Sequence, residues 1–471
     1  MVSFFLKKIM ENSKTICAIA SSLTPQSIGI IRISGSNSIN IISKIFFDKN
    51  KKPIAIKTSH LALFGYIYDN DMLVDEVIVL PMLKPRSYTK EDVIEIQSHG
   101  SISVLQWIFQ LLIKNGAIPA EPGEFTKRAF LNGRIDLSSA EAVIDIINSK
   151  TKLATTAAAN QIKGDIKNKI NSLRNELLDA ISFIEASLDD PEHLSVDGFK
   201  ENLKKIILSQ KTIVIQLINS FENGKILREG INTAIIGKPN VGKSSLLNLF
   251  LGEDRAIVSD IAGTTRDIIK ENINFHGISL NIIDTAGIRE DLENIDIIEK
   301  IGIDKSKQTA TNCDLILFVI DVTTHKEKEN FEVLKFLKSF DKPFIIILNK
   351  TDIKQIDKKF FDVFPEDLCI PFSAKTGFGL DQLKEKIKTL FSIGQINMNT
   401  EIIISNARHI FCSKNVLNSL SNVEKSILNK LPEDFWTIDL TDAFKNYSNI
   451  LGEEINDDII NNIFSKFCIG K

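Results

Sequence analysis

The chain has 471 residues, of which 43 % are hydrophobic and 25 % are charged, and its formal net charge is −3. This composition is typical of a folded protein with about two to four domains. It excludes an overall basic surface, so any contact with nucleic acid must be local, and no run reaches the roughly 18 uninterrupted apolar residues that a membrane span needs.

Cysteine usage predicts a reducing compartment. The five cysteines are far apart and never form a C-x-x-C pair: Cys17, Cys313, Cys369, Cys412 and Cys468. This pattern excludes a disulfide scaffold or a zinc ribbon and favours a cytoplasmic protein. The opening MVSFFLKKIM lacks the features of a secretion signal, and Met10 is an alternative start.

The N-terminal part, up to about residue 128, is predicted to be mixed α/β. Residues 27–35 form an apolar strand that ends at Gly35, and further strands are expected at 75–80 and 92–97.

Two charged residues interrupt these strands. Arg32 lies on the same face as Ile28 and Ile30, where a charge must either form an internal salt bridge or bind an anion. Glu95 lies between Ile94 and Ile96, and this pattern alone favours an exposed strand carboxylate.

Helical periodicity begins after residue 130. Residues 138–141 match a capping box, and a long helix that stops before Pro191 carries an apolar stripe. The stripe consists of Ile162, Ile166, Ile170, Leu173, Leu177, Ile181 and Ile184. A third helix carries Ile206, Ile207, Ile213 and Leu217.

A hinge is expected at residues 224–230, before a nucleotide-binding segment that ends near Gly394. Helices return at residues 413–429 and 455–467. Because neither helical piece can close a core alone, the pattern predicts a nucleotide-binding domain inserted into one helical bundle.

A phosphate-binding loop is the strongest local signal. Residues 237–244, GKPNVGKS, follow an apolar strand at 233–236 and precede an apolar helix, as the motif G-x-x-x-x-G-K-[ST] requires. Backbone N–H groups can surround phosphate oxygens, Lys243 can reach the outer phosphates, and Ser244 can bind Mg²⁺.

Four further motifs follow in the order typical of a GTPase. They are GTTRD at 263–267, DTAG at 284–287, NKTD at 349–352 and SAK at 373–375. Asp352 can accept hydrogen bonds from the N1–H and amino group of guanine, whereas adenine would leave its carboxylate unpaired. Ile288 follows DTAG where Ras-type enzymes have a water-orienting glutamine, so another group must orient water, and an arginine or a cation must meet the transition-state charge.

Nearly the whole chain resembles the MnmE (TrmE) family of tRNA-modification GTPases. The resemblance is carried by GIIRISG, EDVIEIQSHG, PGEFTKRAFLNGRIDL, GKPNVGKSS, DIAGTTRD, DTAGIRE, NKTD and the terminal CIGK. It implies a folate-binding and dimerising α/β domain at 1–128, a central helical bundle at 129–222 and 395–471, and a Ras-like P-loop GTPase domain at 223–394 inserted into the bundle.

The resemblance also implies an activity. A homodimer would work with the FAD protein MnmG to place an aminomethyl or carboxymethylaminomethyl group on C5 of wobble uridine in tRNA. The carbon would come from 5,10-methylene-tetrahydrofolate, and 5-formyl-tetrahydrofolate is the other candidate ligand. GTP hydrolysis would drive a conformational cycle, with no membrane involved.

Site residues follow from the same resemblance, position by position. The GTP-binding set is Asn240, Val241, Gly242, Lys243, Ser244, Ser245, Ser259, Asp260, Ile261, Ala262, Gly263, Thr264, Thr265, Asp284, Thr285, Ala286, Gly287, Asn349, Lys350, Asp352, Ser373, Ala374 and Lys375. Mg²⁺ would be held by Ser244 and Thr265, and K⁺ would be held by Asn240, Ser259, Ile261 and Thr264.

The K⁺ ion would take the place of an arginine finger, and Glu299 would position water. Folate would be bound by Arg32, Glu95, Arg134 and Lys471, with arginine at 134 where the family commonly has lysine. Cys468 is either a nucleophile near the folate or a small buried thiol.

Two other functions are compatible with parts of the chain. An RNA-binding assembly GTPase acting as a switch on the ribosome usually carries a KH-like or basic module, and no basic G-x-x-G loop follows the GTPase motifs. A folate-binding protein with a degenerate GTPase is opposed by the intact motifs.

Overall fold

The computed structural model describes residues 14–190, 199–253, 271–275, 277–283, 313–324, 328–339, 342–356, 360–391 and 402–470. The chain divides into two compact units. The first comprises Met1–Ile144, Gln161–Asn175 and Phe444–Lys471, and the second comprises Asp145–Asn160 and Glu176–Ala443. The three domains expected from the sequence stay a prediction. Along the described part of the chain, no helix is both long and apolar enough to cross a membrane.

The first half of the chain forms a set of strands interspersed with short helices, followed by a run of helices. In chain order they are β1 (Ile16–Ile19), β2 (Gln26–Ser34), α1 (Ser38–Ile42), β3 (Phe46–Phe47), β4 (Leu63–Asp69), β5 (Met72–Met82), β6 (Val93–Gly100), α2 (Ile102–Lys114), β7 (Ile118–Pro119), α3 (Glu124–Leu131), α4 (Leu137–Asn148), α5 (Lys152–Lys163), α6 (Asp165–Asp189) and α7 (Phe199–Glu229).

The nucleotide-binding segment and the C-terminal helices follow. They are β8 (Ile231–Ile236), α8 (Lys243–Glu253), β9 (Glu271–Phe275), β10 (Ile278–Ile283), β11 (Leu315–Asp321), α9 (Lys328–Lys338), β12 (Phe344–Asn349), a 3₁₀ turn (Glu366–Leu368), β13 (Cys369–Pro371), α10 (Leu380–Leu390), α11 (Ala407–Leu428), α12 (Glu433–Leu451) and α13 (Asp457–Phe464).

The first unit contains a seven-stranded sheet in the order β3-β4-β5-β6-β2-β1-β7. Neighbouring strands are antiparallel except β1 and β7. One face of the sheet packs on α2, because Leu105, Ile108 and Leu112 of that helix are fully buried against strand residues such as Ile31 and Ile96. The predicted strands at 27–35, 75–80 and 92–97 are therefore confirmed, with their ends moved by a few residues.

The second unit contains a six-stranded sheet in the order β13-β12-β11-β8-β10-β9, parallel except for β9. Strand β11 is apolar along its length because both of its faces are buried. Leu315, Leu317 and Val319 enter the core that contains α8, and the intervening residues enter the core that contains α9. Because helices cover both faces, ligand-binding residues are expected where the parallel strands end.

Three details of the helical prediction are wrong. Helix α4 already includes Ser138, and its first turn is capped by Asp136, whose carboxylate accepts from Ser139 N. The expected long stripe is interrupted at Gly164, whose φ of +103° separates α5 from α6, so that Ile162 belongs to the earlier helix. The hinge expected at residues 224–230 does not begin at Gly224, because α7 continues to Glu229 and only Gly230, with a φ of +79°, lies beyond the helix.

Helical segments also pack within the second unit. Gly224 of α7 lies against the main chain of Ile404, and Lys211 pairs with Glu424 of α11 at 2.7 Å. At the β9–β10 hairpin, Lys150 Nζ donates to Asn272 Oδ1 at 2.6 Å, and Leu153 lies against Gly277.

Candidate functional site

The phosphate-binding loop lies between the end of β8 and the start of α8. Gly242 has a φ of +101°, and a Cβ there would overlap the Asn349 side-chain amide. Only glycine satisfies both conditions without strain. Helix α8 begins at Lys243, so its first N–H groups and its positive dipole end border the loop, as an anion-binding site requires.

Lys243 is directed into this loop. Its side chain is mostly buried, and its ammonium donates to the carbonyls of Gly237 at 3.1 Å and Lys238 at 2.7 Å. An ammonium held at the loop by two carbonyl oxygens, beside the N-terminus of α8, is suited to bind phosphate oxygens. The predicted strand, loop and helix are confirmed here.

Asn349 connects the phosphate-binding loop to the predicted base-binding loops. Its amide donates to Val241 O at 2.7 Å, and its carbonyl accepts from Ala374 N at 2.9 Å. Asn349 is only 2 % exposed, so these bonds are shielded from water. Two of the predicted GTP-binding motifs are thereby held in one fixed arrangement with the P-loop.

Asp352 is oriented by the neighbouring motif. The Ser373 hydroxyl donates to Asp352 Oδ1 at 2.8 Å, and Ser373 is itself buried. Asp352 is exposed, so its second oxygen can receive donors from outside. This arrangement suits the two N–H donors on the edge of guanine.

Lys350 contributes a further connection that the sequence did not reveal. Its ammonium contacts Asp321 Oδ2 at 2.6 Å and donates to Asn240 O at 2.9 Å. Burial raises the pKa of Asp321, but hydrogen bonds from Lys350 and Thr323 outweigh this and hold that pKa below its usual value. The one feature of the sequence that could have drawn attention to Asp321 is its place as the carboxylate that ends the apolar strand LILFVID.

Several predicted residues lie outside the described part of the chain. These are Ser259, Asp260, Ile261, Ala262, Gly263, Thr264, Thr265, Asp284, Thr285, Ala286, Gly287, Glu299 and Lys471. Of the predicted metal ligands, Ser244 and Asn240 are described. Among the described residues, no cluster of three or more histidine, cysteine or acidic side chains could hold a metal ion.

The first unit brings together a second set of predicted residues. Arg32 and Glu95 are directly paired in the β2–β6 register, and Arg32 donates to Glu95 Oε1 from Nε at 2.9 Å and from Nη2 at 2.7 Å. Their side chains are 16 % and 17 % exposed. The salt-bridge alternative for Arg32 is confirmed, and the expectation of a merely exposed Glu95 is wrong because the strand register places it opposite Arg32.

Two aromatic rings surround this pair. The Arg32 guanidinium lies 5.5 Å from the Phe125 ring centre and 5.8 Å from that of Tyr88, and the Arg134 guanidinium lies 4.7 Å from Tyr88. The Tyr88 hydroxyl is 3.0 Å from Thr126 Oγ1. Tyr88 thus lies between two predicted folate cations, a role that no sequence pattern indicated.

The C-terminal tail reaches the same place. Arg32 Nη1 donates to Gly470 O at 2.9 Å, and Gly123 N donates to Cys468 O at 3.4 Å. Phe467 is buried in a core with Phe464, which anchors the tail. Cys468 is exposed, so the buried-thiol alternative is wrong. A cation, a carboxylate and aromatic rings that lie close together and are partly buried fit a ligand with an amide edge and a carboxylate tail.

Comparison with known proteins identifies the family. The model of the GTP-binding protein TrmE N-terminus matches residues 15–134, and the model of the MnmE helical domain matches residues 137–468.

Curated relatives agree with these matches. The tRNA modification GTPase MnmE of Lachnoclostridium phytofermentans is 45 % identical over 97 % of this chain and 99 % of its own. The protein of the same name from Acetivibrio thermocellus is 43 % identical over 98 % of this chain and 100 % of its own.

Among solved structures, Era in complex with MgGDPNP and part of 16S ribosomal RNA is 30 % identical over 40 % of this chain and 66 % of its own, with a TM-score of 0.26 that is too low to support an argument. The family matches and the near-complete coverage by relatives lead to one conclusion: the chain belongs to the MnmE family of tRNA modification GTPases.

Proposed function

We propose that this protein is a guanine-specific GTPase whose hydrolysis cycle serves the modification of tRNA. The observation that carries the GTPase assignment is Asn349, which binds both the P-loop at Val241 and the base-binding loop at Ala374. Phosphate and base recognition are thereby built on one buried side chain. Family membership supplies the second half of the proposal, since the full-length relatives are tRNA modification GTPases.

The P-loop fits GTP because its fixed backbone, the inward Lys243 ammonium and the start of α8 all favour a polyphosphate. Mg²⁺ would be held by Ser244 together with Thr265, and would neutralise charge on the transferred phosphate. Water would be positioned by Glu299, since Ile288 has no group that can orient it.

The transition state of GTP hydrolysis needs a positive charge that an arginine finger supplies in other GTPases. We assign this role to a potassium ion beside the nucleotide. The expected ligands are Asn240, Ser259, Ile261 and Thr264. Asn240 fits such a role, because its side chain is exposed while its carbonyl is held by Lys350. A fixed backbone limits the directions in which an amide oxygen can point, which lowers the cost of binding an ion.

The Arg32–Glu95 pair and its neighbours are proposed to hold a tetrahydrofolate, either the 5,10-methylene or the 5-formyl form. Glu95 would accept from the amide and amino edge of the pterin, and Arg134 and Lys471 would attract the carboxylate tail. When bound, the methylene form would supply the carbon that becomes attached to C5 of the wobble uridine. Cys468 is exposed and lies two residues before Gly470, which binds Arg32, so it is the proposed thiol for that chemistry.

The same proposal includes partners. A homodimer formed through the N-terminal part would work with the FAD protein MnmG in the cytoplasm. The ribosomal-switch alternative has less support, because the full-length relatives are tRNA-modifying proteins.

Steady-state GTP hydrolysis in K⁺ and in Na⁺ at equal ionic strength tests the proposed potassium-dependent GTPase activity. We expect a large loss of rate in Na⁺ together with loss of K⁺-dependent dimerisation. The proposed role in tRNA modification is tested by mass spectrometry of the wobble uridine. The tRNA is first incubated with the protein, GTP, methylene-tetrahydrofolate and the MnmG relative. Unmodified uridine under those conditions would contradict the tRNA role, and equal rates in both salts would contradict the potassium role.

A further inference from the structure

A loop with three exposed cations lies beside the proposed folate site. The loop comprises residues 83–92 and connects β5 to β6. Lys84, Arg86 and Lys90 are exposed, whereas the two carboxylates of the loop, Glu91 and Asp92, are half-buried. The loop therefore presents positive charge to solvent, although the whole chain has a formal net charge of −3.

The carboxylates of this loop are turned to partners inside the protein. Glu91 Oε2 accepts from the Ser34 hydroxyl at 2.6 Å and pairs with Arg128 Nη1 at 3.1 Å. The Arg128 side chain is only 5 % exposed, so the charge of Glu91 is offset away from the surface. Asp92 Oδ1 accepts from Lys84 N at 3.0 Å and closes the loop. The carboxylates thus hold the loop in shape, and the cations are left to face the solvent.

The turn after α3 extends the same charged surface. Lys90 Nζ donates to Gly133 O at 3.0 Å, which joins the loop to this turn. Arg134, the next residue, is also exposed, and its guanidinium lies 4.7 Å from the centre of the Tyr88 ring. The loop and the turn are thus in contact at two points. Together they carry four exposed cations, the basic rim: Lys84, Arg86, Lys90 and Arg134.

The basic rim adjoins the Arg32–Glu95 pair through Tyr88, whose ring centre is 5.8 Å from the Arg32 guanidinium. The substrate of the proposed reaction must bring C5 of its wobble uridine to a carbon held beside this pair. That base belongs to a single-stranded loop of RNA, and the phosphates on either side of it arrive with it. Cations that contact phosphates fix the position of a nucleic acid without reading its sequence.

We propose that the basic rim binds phosphates of the tRNA anticodon loop and so places the wobble uridine at the proposed folate site. This inference rests on the proposed role in tRNA modification and on the proposed folate site. It supplies the local contact with nucleic acid that a chain of negative net charge requires. The carboxylates of the folate tail are attracted by the same cations, and the test below separates the two anions.

The test measures binding of the full-length chain to a fluorescent, unmodified tRNA at a series of salt concentrations. Wild type is compared with the double variant Lys84→Gln/Arg86→Gln, in which two exposed charges are removed without opening the core. We expect the affinity for tRNA at low salt to fall about tenfold, because two phosphate contacts are lost. For the same reason, the slope of log affinity against log salt should become shallower by about 1.5. The affinity for 5-formyl-tetrahydrofolate, measured by calorimetry, should not change.

Lys49→Gln/Lys52→Gln is the matched control. Both lysines are exposed and follow β3, an edge strand that β4 and β5 separate from β6. The same loss of two charges there should leave the tRNA affinity and its salt slope nearly unchanged.

A second measurement needs no variant. The wild-type chain is acetylated on lysine with and without tRNA, and its peptides are compared by mass spectrometry. We expect tRNA to protect Lys84 and Lys90, whereas Lys49 and Lys52 should react equally in both samples.

The outcomes separate this inference from the function on which it rests. A wild-type chain that binds no tRNA, alone or with the FAD protein, contradicts the proposed tRNA role and this inference with it. A wild-type chain that binds tRNA, while the two double variants bind it equally well, overturns the inference alone. Loss of folate affinity with unchanged tRNA affinity in Lys84→Gln/Arg86→Gln would assign the basic rim to the folate tail and would also overturn it.

Discussion

Arg32 and Glu95 face each other across β2 and β6, and two guanidinium nitrogens donate to a single oxygen, Glu95 Oε1. No described residue donates to Oε2, while the third guanidinium nitrogen binds Gly470. The pair is therefore a salt bridge with one carboxylate oxygen to spare. That oxygen can accept from a ligand without breaking the internal pair, so the two interpretations of Arg32 are compatible.

Replacing Glu95 by glutamine tests this arrangement. We expect the affinity for 5-formyl-tetrahydrofolate to fall about tenfold, because a charged acceptor forms a stronger hydrogen bond than an amide. The free energy of unfolding should fall by about 1 to 2 kcal/mol, since Arg32 stays mostly buried without a counter-charge. Calorimetric binding and urea unfolding measure the two effects. Glu454→Gln, at an exposed position of the same unit, is the control, and unchanged binding in Glu95→Gln would remove Glu95 from the site.

Tyr88 should matter through its ring rather than its hydroxyl. Tyr88→Leu removes the aromatic face that both Arg32 and Arg134 approach, and we expect folate affinity to fall about threefold to tenfold. Tyr88→Phe keeps the ring and loses the contact to Thr126, so binding should change little. Equal losses in the two variants would contradict the cation–π interpretation. GTP hydrolysis serves as a check that both variants are folded.

Asp352→Asn should change which base is accepted. The amide keeps an oxygen for the Ser373 hydroxyl but offers N–H donors where guanine also donates. We expect affinity for GDP to fall about a hundredfold, as two hydrogen bonds to a charged acceptor are lost. Affinity for xanthosine diphosphate should rise, because xanthine presents a carbonyl there. Fluorescent-nucleotide titration measures both, and Asp362→Asn, at an exposed position, should bind like the wild type.

Thiol reactivity should single out Cys468. Burial raises the pKa of Cys17 and of Cys369 to about 12 and also raises that of Cys313, and Cys412 is buried, whereas Cys468 is exposed. Because the thiolate is the reactive form, one equivalent of a disulfide reagent should react rapidly with the native protein at pH 8. Cys468→Ser should abolish that rapid phase. A rapid phase that persists in the variant would show that another cysteine is accessible.

The pair of His99 and Asp75 should make stability depend on pH. A hydrogen bond and the charge of Asp75, 2.7 Å from His99 Nδ1, raise the pKa of this histidine. A raised folded-state pKa stabilises the protein fully below the unfolded value of about 6.5, and the contribution is lost as the pH rises through the folded value. Asp75→Asn should therefore lower the melting temperature more at pH 5.5 than at pH 8.5. An equal reduction at both values would contradict this.

Sequence patterns predicted the sheet strands and the P-loop because those features depend on local information. An apolar run, a glycine-rich loop and an apolar helix are each visible within a few residues. Arg32 and Glu95 could be singled out only as anomalies, since their pairing depends on the register of two strands that are 63 residues apart along the chain.

The wrong and the missed predictions also concern residues whose partners are distant along the chain. Gly224 resembles a helix end, yet it remains inside α7 because the main chain of Ile404, 180 residues later, packs against it. Asp321 and Tyr88 escaped notice because one carboxylate or one tyrosine has no periodicity. Their roles exist only once Lys350 and the two arginines have been placed by the fold.

The contact of Lys150 and Leu153 with the β9–β10 hairpin has a practical consequence for fragments of this protein. A recombinant segment covering only residues 223–394 would lack Lys150, which binds Asn272, and Leu153, which covers Gly277. The hairpin would then expose an amide and an apolar surface that the intact chain covers. Nucleotide affinities measured on such a segment would describe a sheet with one edge uncovered, so comparisons between variants belong in the full-length chain.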